Sequence, residues 1–180
     1  MSPEARPAVL RTERVLLRPF VQSDAEDVFA YAQLEEWSRY HVPEIPYPYA
    51  RSDADEFIAS MLETSWENKA NWAIVINERV VGGLTLSLRP PASRAELGYS
   101  LAPDHWNRGI TTEAARAVLS YAFYVWVLDT VEARADARNV GSRRVMEKVG
   151  MARISLEADV RRDRAGAVVD QVRYAVTRSR

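Results

Sequence analysis

The spacing of apolar residues changes several times along the 180-residue chain, and each change marks a new element. Val15-Leu16-Leu17-Arg18-Pro19 reads as a strand closed by proline. Ser23-Asp24-Ala25-Glu26 has the form of a capping box. After it, Ala25, Val28, Phe29 and Ala32 recur at helical spacing. A second helix begins at Ser52, with Asp53 and Asp55 in its first turn. Ala54, Phe57, Ile58, Met61, Leu62, Ser65 and Trp66 would share one of its faces. The period then falls to two. Trp72–Ile76, a turn at Asn77-Glu78-Arg79 and Val80–Leu88 predict an antiparallel hairpin. Leu84, Leu86 and Leu88 alternate with Thr85 and Ser87, one face apolar and one wetter. Pro90–Ser93 turns the chain into a strand over Arg94–Leu101. Helical spacing returns at Ile110, Ala114, Ala117, Val118, Tyr121, Ala122 and Val125. The final stretch of that helix, Phe123 to Leu128, is apolar nearly all round and is expected to be buried. Val131, Ala133 and Ala135 mark another strand. A short helix, Val140–Val149, ends at Gly150 in the C′ position. A closing hairpin follows, Ala152–Arg162 and Val168–Thr177, turning at Asp163–Gly166.

The resulting order is β α α β β β α β α β β. It describes a mixed α/β fold, one sheet flanked by helices. A single domain over residues 12–180 is expected, preceded by a flexible arm over 1–11. One stretch breaks the rhythm. Trp37, Tyr40, His41, Tyr47 and Tyr49 lie among Pro43, Pro46 and Pro48, which reads as a structured loop rather than a helix. Such a loop serves either as a lid over the core or as the wall of a small pocket.

Composition narrows the field. Hydrophobic residues make up 47% and charged residues 27%, ordinary values for a globular protein. A net charge of −1 predicts no nucleic-acid footprint. The chain has no cysteine, which excludes disulfides, cysteine nucleophiles and thiolate metal sites. The two histidines, His41 and His105, stand far apart without a second ligand, so no metal is expected. Neither a signal sequence nor a membrane span is evident, so a cytoplasmic protein is expected.

The chemistry gathers around Ala95–Ala114. A strand leads through a short loop to Gly109 and then to a helix start. Gly109 lets the backbone approach a ligand closely. The helix start presents unpaired amides at the positive end of the dipole, an arrangement suited to phosphate. Trp106-Asn107-Arg108-Gly109-Ile110-Thr111-Thr112-Glu113-Ala114 resembles the pyrophosphate loop of the GCN5-related N-acetyltransferases (GNAT), especially the RimJ/RimL-type branch that acetylates ribosomal-protein N-termini. The shared features are the tryptophan, the Thr-Glu-Ala run and the glycine. Thr111 stands where the family usually has Gly or Ala. The resemblance covers roughly Thr12 to Val176.

The resemblance implies an acetyl-CoA-dependent N-acetyltransferase with no metal, acting on a primary amine by direct attack. A protein N-terminal α-amine is favoured as acceptor. A small-molecule amine, polyamine or antibiotic, is the alternative, and Glu35, Glu36, Glu44, Asp53 and Asp55 would suit a polyamine. A non-catalytic acyl-CoA-binding module is a further alternative. A homodimer is left open. By the same resemblance, coenzyme A would pair with backbone at Tyr99, Ser100 and Leu101. Its diphosphate would meet the amides of Asn107, Arg108, Gly109, Ile110, Thr111 and Thr112, and Asn139 and Ser142 would contact the cofactor arm. Gly98 marks the closest approach of the strand to the arm. Glu96 is either a solvent-facing strand glutamate or the general base. Ser142 is either satisfied by nearby backbone or is the acid for the leaving thiol. Many relatives carry a tyrosine seven residues after the asparagine; this chain has Met146. Trp37, Tyr40, His41 and Tyr47 would form the acceptor wall. His105 reads as a surface or supporting residue, and Asp170 as structural.

Overall fold

A computed structural model describes residues 7–41 and 43–178. Eight strands form one sheet in the order β1-β2-β3-β4-β5-β6-β8-β7. The strands are β1 (Leu10–Arg11), β2 (Leu16–Arg18), β3 (Lys69–Ile76), β4 (Arg79–Arg89), β5 (Arg94–Leu101), β6 (Thr130–Asp136), β7 (Ala152–Arg162) and β8 (Val168–Thr177). The helices are α1 (Ala25–Ala32), α2 (Glu35–Ser38), α3 (Arg51–Glu63), α4 (Ile110–Tyr124) and α5 (Val140–Lys148).

Only β5 and β6 run parallel, and they pair only at Arg94↔Thr130, Ala95↔Val131 and Glu96↔Glu132. Beyond Glu96 the two strands continue without pairing to each other. β5 stays bonded to β4 as far as Leu101, and β6 to β8 as far as Asp136. The sheet therefore opens a wedge between its central strands, with β4 and β8 holding its sides.

Side-chain alternation assigns the two faces. Ala95, Leu97 and Leu101 of β5 are buried with Leu84 and Leu86 of β4 and Val131 and Ala133 of β6. Trp72 and Tyr121 meet edge to face at 5.5 Å, which places α4 on this side. The opposite face carries Glu96, Gly98, Ser100, Glu132, Arg134 and Asp136. At its far end Phe20 packs against Gly83, where an added Cβ would lie 3.1 Å from the ring. No described helix is long and apolar enough to cross a membrane.

Several expectations need correction. The arm over 1–11 is partly sheet, because Leu10 and Arg11 pair with Leu17 and Leu16; residues 1–6 lie outside the described residues. The first helix is not capped by Ser23 and Glu26. Asp24 accepts the Val21 amide at 2.9 Å and both Nη groups of Arg18, at 2.7 and 2.8 Å. A buried carboxylate with a guanidinium partner holds that turn more firmly than an exposed hydroxyl would. Trp37 belongs to the short helix α2, since the prolines begin only at Pro43. Helix α3 stops at Glu63, so Ser65 and Trp66 leave its face; Trp66 packs on Trp72 at 4.9 Å instead. The end of α4 is not buried all round. Tyr124 is 82% exposed, and Val125 and Val127 are exposed too, because the helix ends and turns before its last apolar residues reach the sheet.

Candidate active site

The wedge opens into a cavity of about 730 Å³, within the range of small-ligand sites. One end is made of backbone. Gly109 caps α4 in the left-handed region at φ 75°, and Asn107 adopts φ 60°. These turns aim a run of amides into the cavity. None of the N–H groups from Asn107 through Thr112 meets an acceptor among the described residues. Asn107 to Gly109 are exposed and Ile110 to Thr112 buried, and bare donors at a helix N-terminus suit an anion.

The loop is braced from two sides. The Trp106 indole N–H donates to the Leu101 carbonyl at 2.8 Å, tying the loop to the end of β5. From the other side, Arg14 donates to the Arg108 carbonyl at 2.9 Å and to Glu113 at 2.7 Å, while Thr12 donates to Glu113 at 2.6 Å. Burial alone would raise the Glu113 pKa. The Thr12 and Arg14 hydrogen bonds and the Arg14 charge outweigh it and hold the carboxyl below its usual range. This clamp between the first strands and α4 has no local sequence signature.

At the middle of the wedge, β5 and α5 meet. The Tyr99 hydroxyl lies 3.0 Å from both the carbonyl and the Oγ of Ser142. Burial raises the Tyr99 pKa to about 12, so its hydroxyl stays protonated. Asn139 caps α5, its Oδ1 accepting the Ser142 amide at 3.0 Å. Ser142 is therefore oriented by Tyr99 and Asn139. Met146, on the inner face of α5, is fully buried and takes no part in the cavity lining.

The other end is made of side chains from distant segments. Trp37 stacks on His41 with ring centroids 3.9 Å apart, and the His41 Nδ1 lies 2.7 Å from the Trp37 carbonyl. Burial lowers the His41 pKa to about 4, which keeps the ring neutral, so its Nδ1–H donates to that carbonyl. The closing hairpin reaches over to this loop: Arg161 donates to the Tyr40 carbonyl at 3.1 Å. Asp136 at the tip of β6 is fully buried and gathers Arg138 at 2.8 Å and Arg161 at 3.5 Å.

The cavity thus brings together Trp37, Tyr40, His41, Tyr99, Ser100 and Leu101 with Asn107, Gly109, Ile110, Thr111, Thr112, Asn139 and Ser142. His105 also lines it. Three expected residues stand apart. The Arg108 side chain is outside the lining. Tyr47 is outside as well, under the Arg164 guanidinium at 4.6 Å. Glu96 is outside too, accepting from Arg89 at 3.1 Å and lying 3.6 Å from Arg134. Asp170 accepts the Asp159 amide at 3.1 Å, within the hairpin. Arg134, Asp136, Arg138 and Arg161 were not legible as site residues. In the sequence the first three look like the solvated half of an alternating strand and its exit.

A mixed sheet split between two parallel strands, with a bare helix N-terminus at the mouth of the split, suits a long ligand that carries a phosphate group. The profile of the acetyltransferase (GNAT) domain matches residues 14–152, and the chain belongs to that family. It is 29% identical over 150 residues to the uncharacterized N-acetyltransferase YoaA of Bacillus subtilis (strain 168), a match covering 79% of this chain and 81% of that one. A GNAT-family acetyltransferase from Bacillus anthracis superposes with a TM-score of 0.83 at 26% identity, over 94% of this chain and 98% of the other. The fold is also that of Mycobacterium smegmatis RimJ in complex with CoA-disulfide, with a TM-score of 0.84 at 22% identity over 96% and 88% of the two chains. The protein is an N-acetyltransferase that uses acetyl-CoA and acts on an amine acceptor.

Proposed function

We propose that the chain acetylates the α-amine of its acceptor by direct transfer, with Ser142 supplying the proton to the leaving sulfur. The observation that carries the reading is the run of unpartnered amides from Asn107 to Thr112 at one end of the wedge, with Ser142 at its middle. Bound acetyl-CoA would supply an activated acetyl carbon. The amides and the α4 dipole would hold the diphosphate, and the free edges of β5 and β6 would guide the arm. In the step itself the amine nitrogen bonds to the acetyl carbon and the carbon–sulfur bond breaks. One proton leaves the nitrogen for water and one reaches sulfur. The Tyr99 hydroxyl reaches both the Ser142 carbonyl and its Oγ; with its proton turned to Oγ the serine's own proton is free for the sulfur, and the serine then regains a proton from water.

An α-amine asks least of the protein. With a reference pKa near ~8, about a tenth of it is already neutral at pH 7, against well under ~1% of a lysine amine. Glu96, held by arginines outside the cavity, would contribute only through water. A polyamine fits less well. Asp53 accepts the Ala50 amide at 2.7 Å and Asp55 pairs with Arg51 at 3.2 Å, so these acids serve the start of α3. Thiol release measured with peptides, free amino acids and polyamines tests the reading. Release with α-amines and none with polyamines is expected; preferred release with polyamines would overturn it.

A further inference from the structure

The electrostatics of the acceptor end go beyond the presence of an amine. On the face away from α4, Gly98 has no side chain, and a Cβ built there would meet nothing within 4 Å. Gly98 is exposed and lies beside the cavity rather than in its lining, so that face of the strand is open to solvent at the point where the two central strands separate. Across the wedge, on the same face, Arg134 projects from β6 and lines the cavity. Its side chain is 41% exposed, so water solvates part of the charge and the protein answers it only weakly. The described contact is to Glu96 at 3.6 Å, and that same Glu96 oxygen already accepts from Arg89 at 3.1 Å.

The neighbouring arginines are committed. Arg138 holds Asp136 at 2.8 Å and Asp163 at 3.0 Å, and Arg161 holds Asp136 and the Tyr40 carbonyl. One residue, Ala135, separates Arg134 from Asp136 along β6. Through Asp136 and Arg161, Arg134 thus sits close to the Tyr40 loop. Arg39 also lines this end and has no ion-pair partner among the described residues. Opposing acids are Asp136, already shared by two arginines, and Glu36. A site of this sign repels polycations and favours an anion beside the reacting amine.

We infer that Arg134 is the specificity residue of the acceptor site and selects α-amines that carry a carboxylate within a few bonds of the nitrogen. The inference rests on the acetyltransferase reading above. The guanidinium offers a planar fork that matches a carboxylate in two hydrogen bonds, and its place in the cavity lining is where that group would be met. Free amino acids and protein N-termini with an acidic second residue share this chemistry.

The test compares wild type with Arg134→Gln and Arg134→Lys. Acceptors are free alanine, aspartate and glutamate, their α-amides, short peptides beginning alanine–aspartate or alanine–asparagine, and spermidine. For wild type, kcat/KM with carboxylate-bearing amines should exceed that with the matching amides by about ten-fold or more, as expected for a charge-assisted pair. Arg134→Gln should erase that ratio while leaving turnover of the amides and acetyl-CoA uptake within about two-fold. Arg134→Lys should restore part of it. Preference for free amino acids over acidic peptides, or the reverse, identifies the source. No turnover of any carboxylate-bearing amine overturns the inference, as does an Arg134→Gln variant that loses both acceptor kinds equally. Absence of acetyl-CoA uptake in calorimetry would instead remove the acetyltransferase reading itself.

Discussion

The two ends of the cavity are built in opposite ways. The cofactor end is contiguous: one loop and one helix start supply backbone donors, and the side chains there serve as bracing. The acceptor end is assembled from α2, the tip of β6 and the closing hairpin, and its character comes from guanidinium groups. Backbone amides at a helix N-terminus suit any diphosphate and tolerate side-chain change around them. Side-chain charges from separate segments can be altered one at a time, so acceptor choice can vary while cofactor use stays fixed.

This contrast can be broken most forcefully at Asp136, where the acceptor end is stitched together. Burial alone would raise its pKa, but hydrogen bonds from Arg138 and the charges of Arg138 and Arg161 prevail and hold it below the usual carboxylate range. A carboxyl depressed on folding adds stability above its unfolded pKa of about 4 and loses it as pH falls through the lower folded value. Thermal unfolding should therefore show Asp136→Asn destabilised by about 2 kcal/mol at pH 7, less than a fully buried pair because Arg138 is half exposed. The gap to wild type should close on acidification below about pH 4. A gap that persists unchanged would assign the loss to packing.

At the junction of the two ends, Ser142→Ala should lower kcat by about a hundred-fold while the acetyl-CoA Kd stays within about two-fold. An equal loss in both would remove Ser142 from the proton path. The cofactor end is probed by Gly109→Val. A β-branched residue at φ 75° costs upward of about 1–2 kcal/mol, and the loop sheds that strain by turning its amides away. Calorimetry should then show acetyl-CoA binding about ten-fold weaker, with Gly109→Asn much closer to wild type because asparagine tolerates the left-handed region. Tyr47→Ala is the mildest. Its ring lies under Arg164, outside the cavity, so acceptor KM should be unchanged and stability should fall by about 0.5–1 kcal/mol. A large rise in KM would place Tyr47 back in the acceptor wall.

Local signals carried much of the fold. The closing hairpin lies at Ala152–Arg162 and Val168–Thr177, as its alternation predicts, and β5 spans Arg94–Leu101. Gly150 ends α5 at φ 89°. Signals failed where a partner remote in sequence competes. Asp24 displaced Ser23 as the cap because Arg18 was at hand, and α4 left Tyr124 in water because the sheet does not extend beneath it. In the site, the glycine turn and its run of bare amides were legible because they need only consecutive backbone. Trp37, Tyr40 and His41 were legible as aromatics in a stiff loop, whereas Tyr47, expected with them, lies outside the cavity because nothing local tells which ring turns inward.

Residue order alone determined the succession of strands and helices apart from β1 and α2, the glycine turn at 109 and the serine-bearing helix behind Asn139. All of these follow from periodicity and backbone preference within a few residues. Only the folded chain decided that Tyr99 meets Ser142, that Glu96 is occupied by arginines, and that Arg134 lines the cavity. Those facts depend on where β5 and β6 part, and the parting point is set by the strands on either side, each of which must keep its own hydrogen bonds.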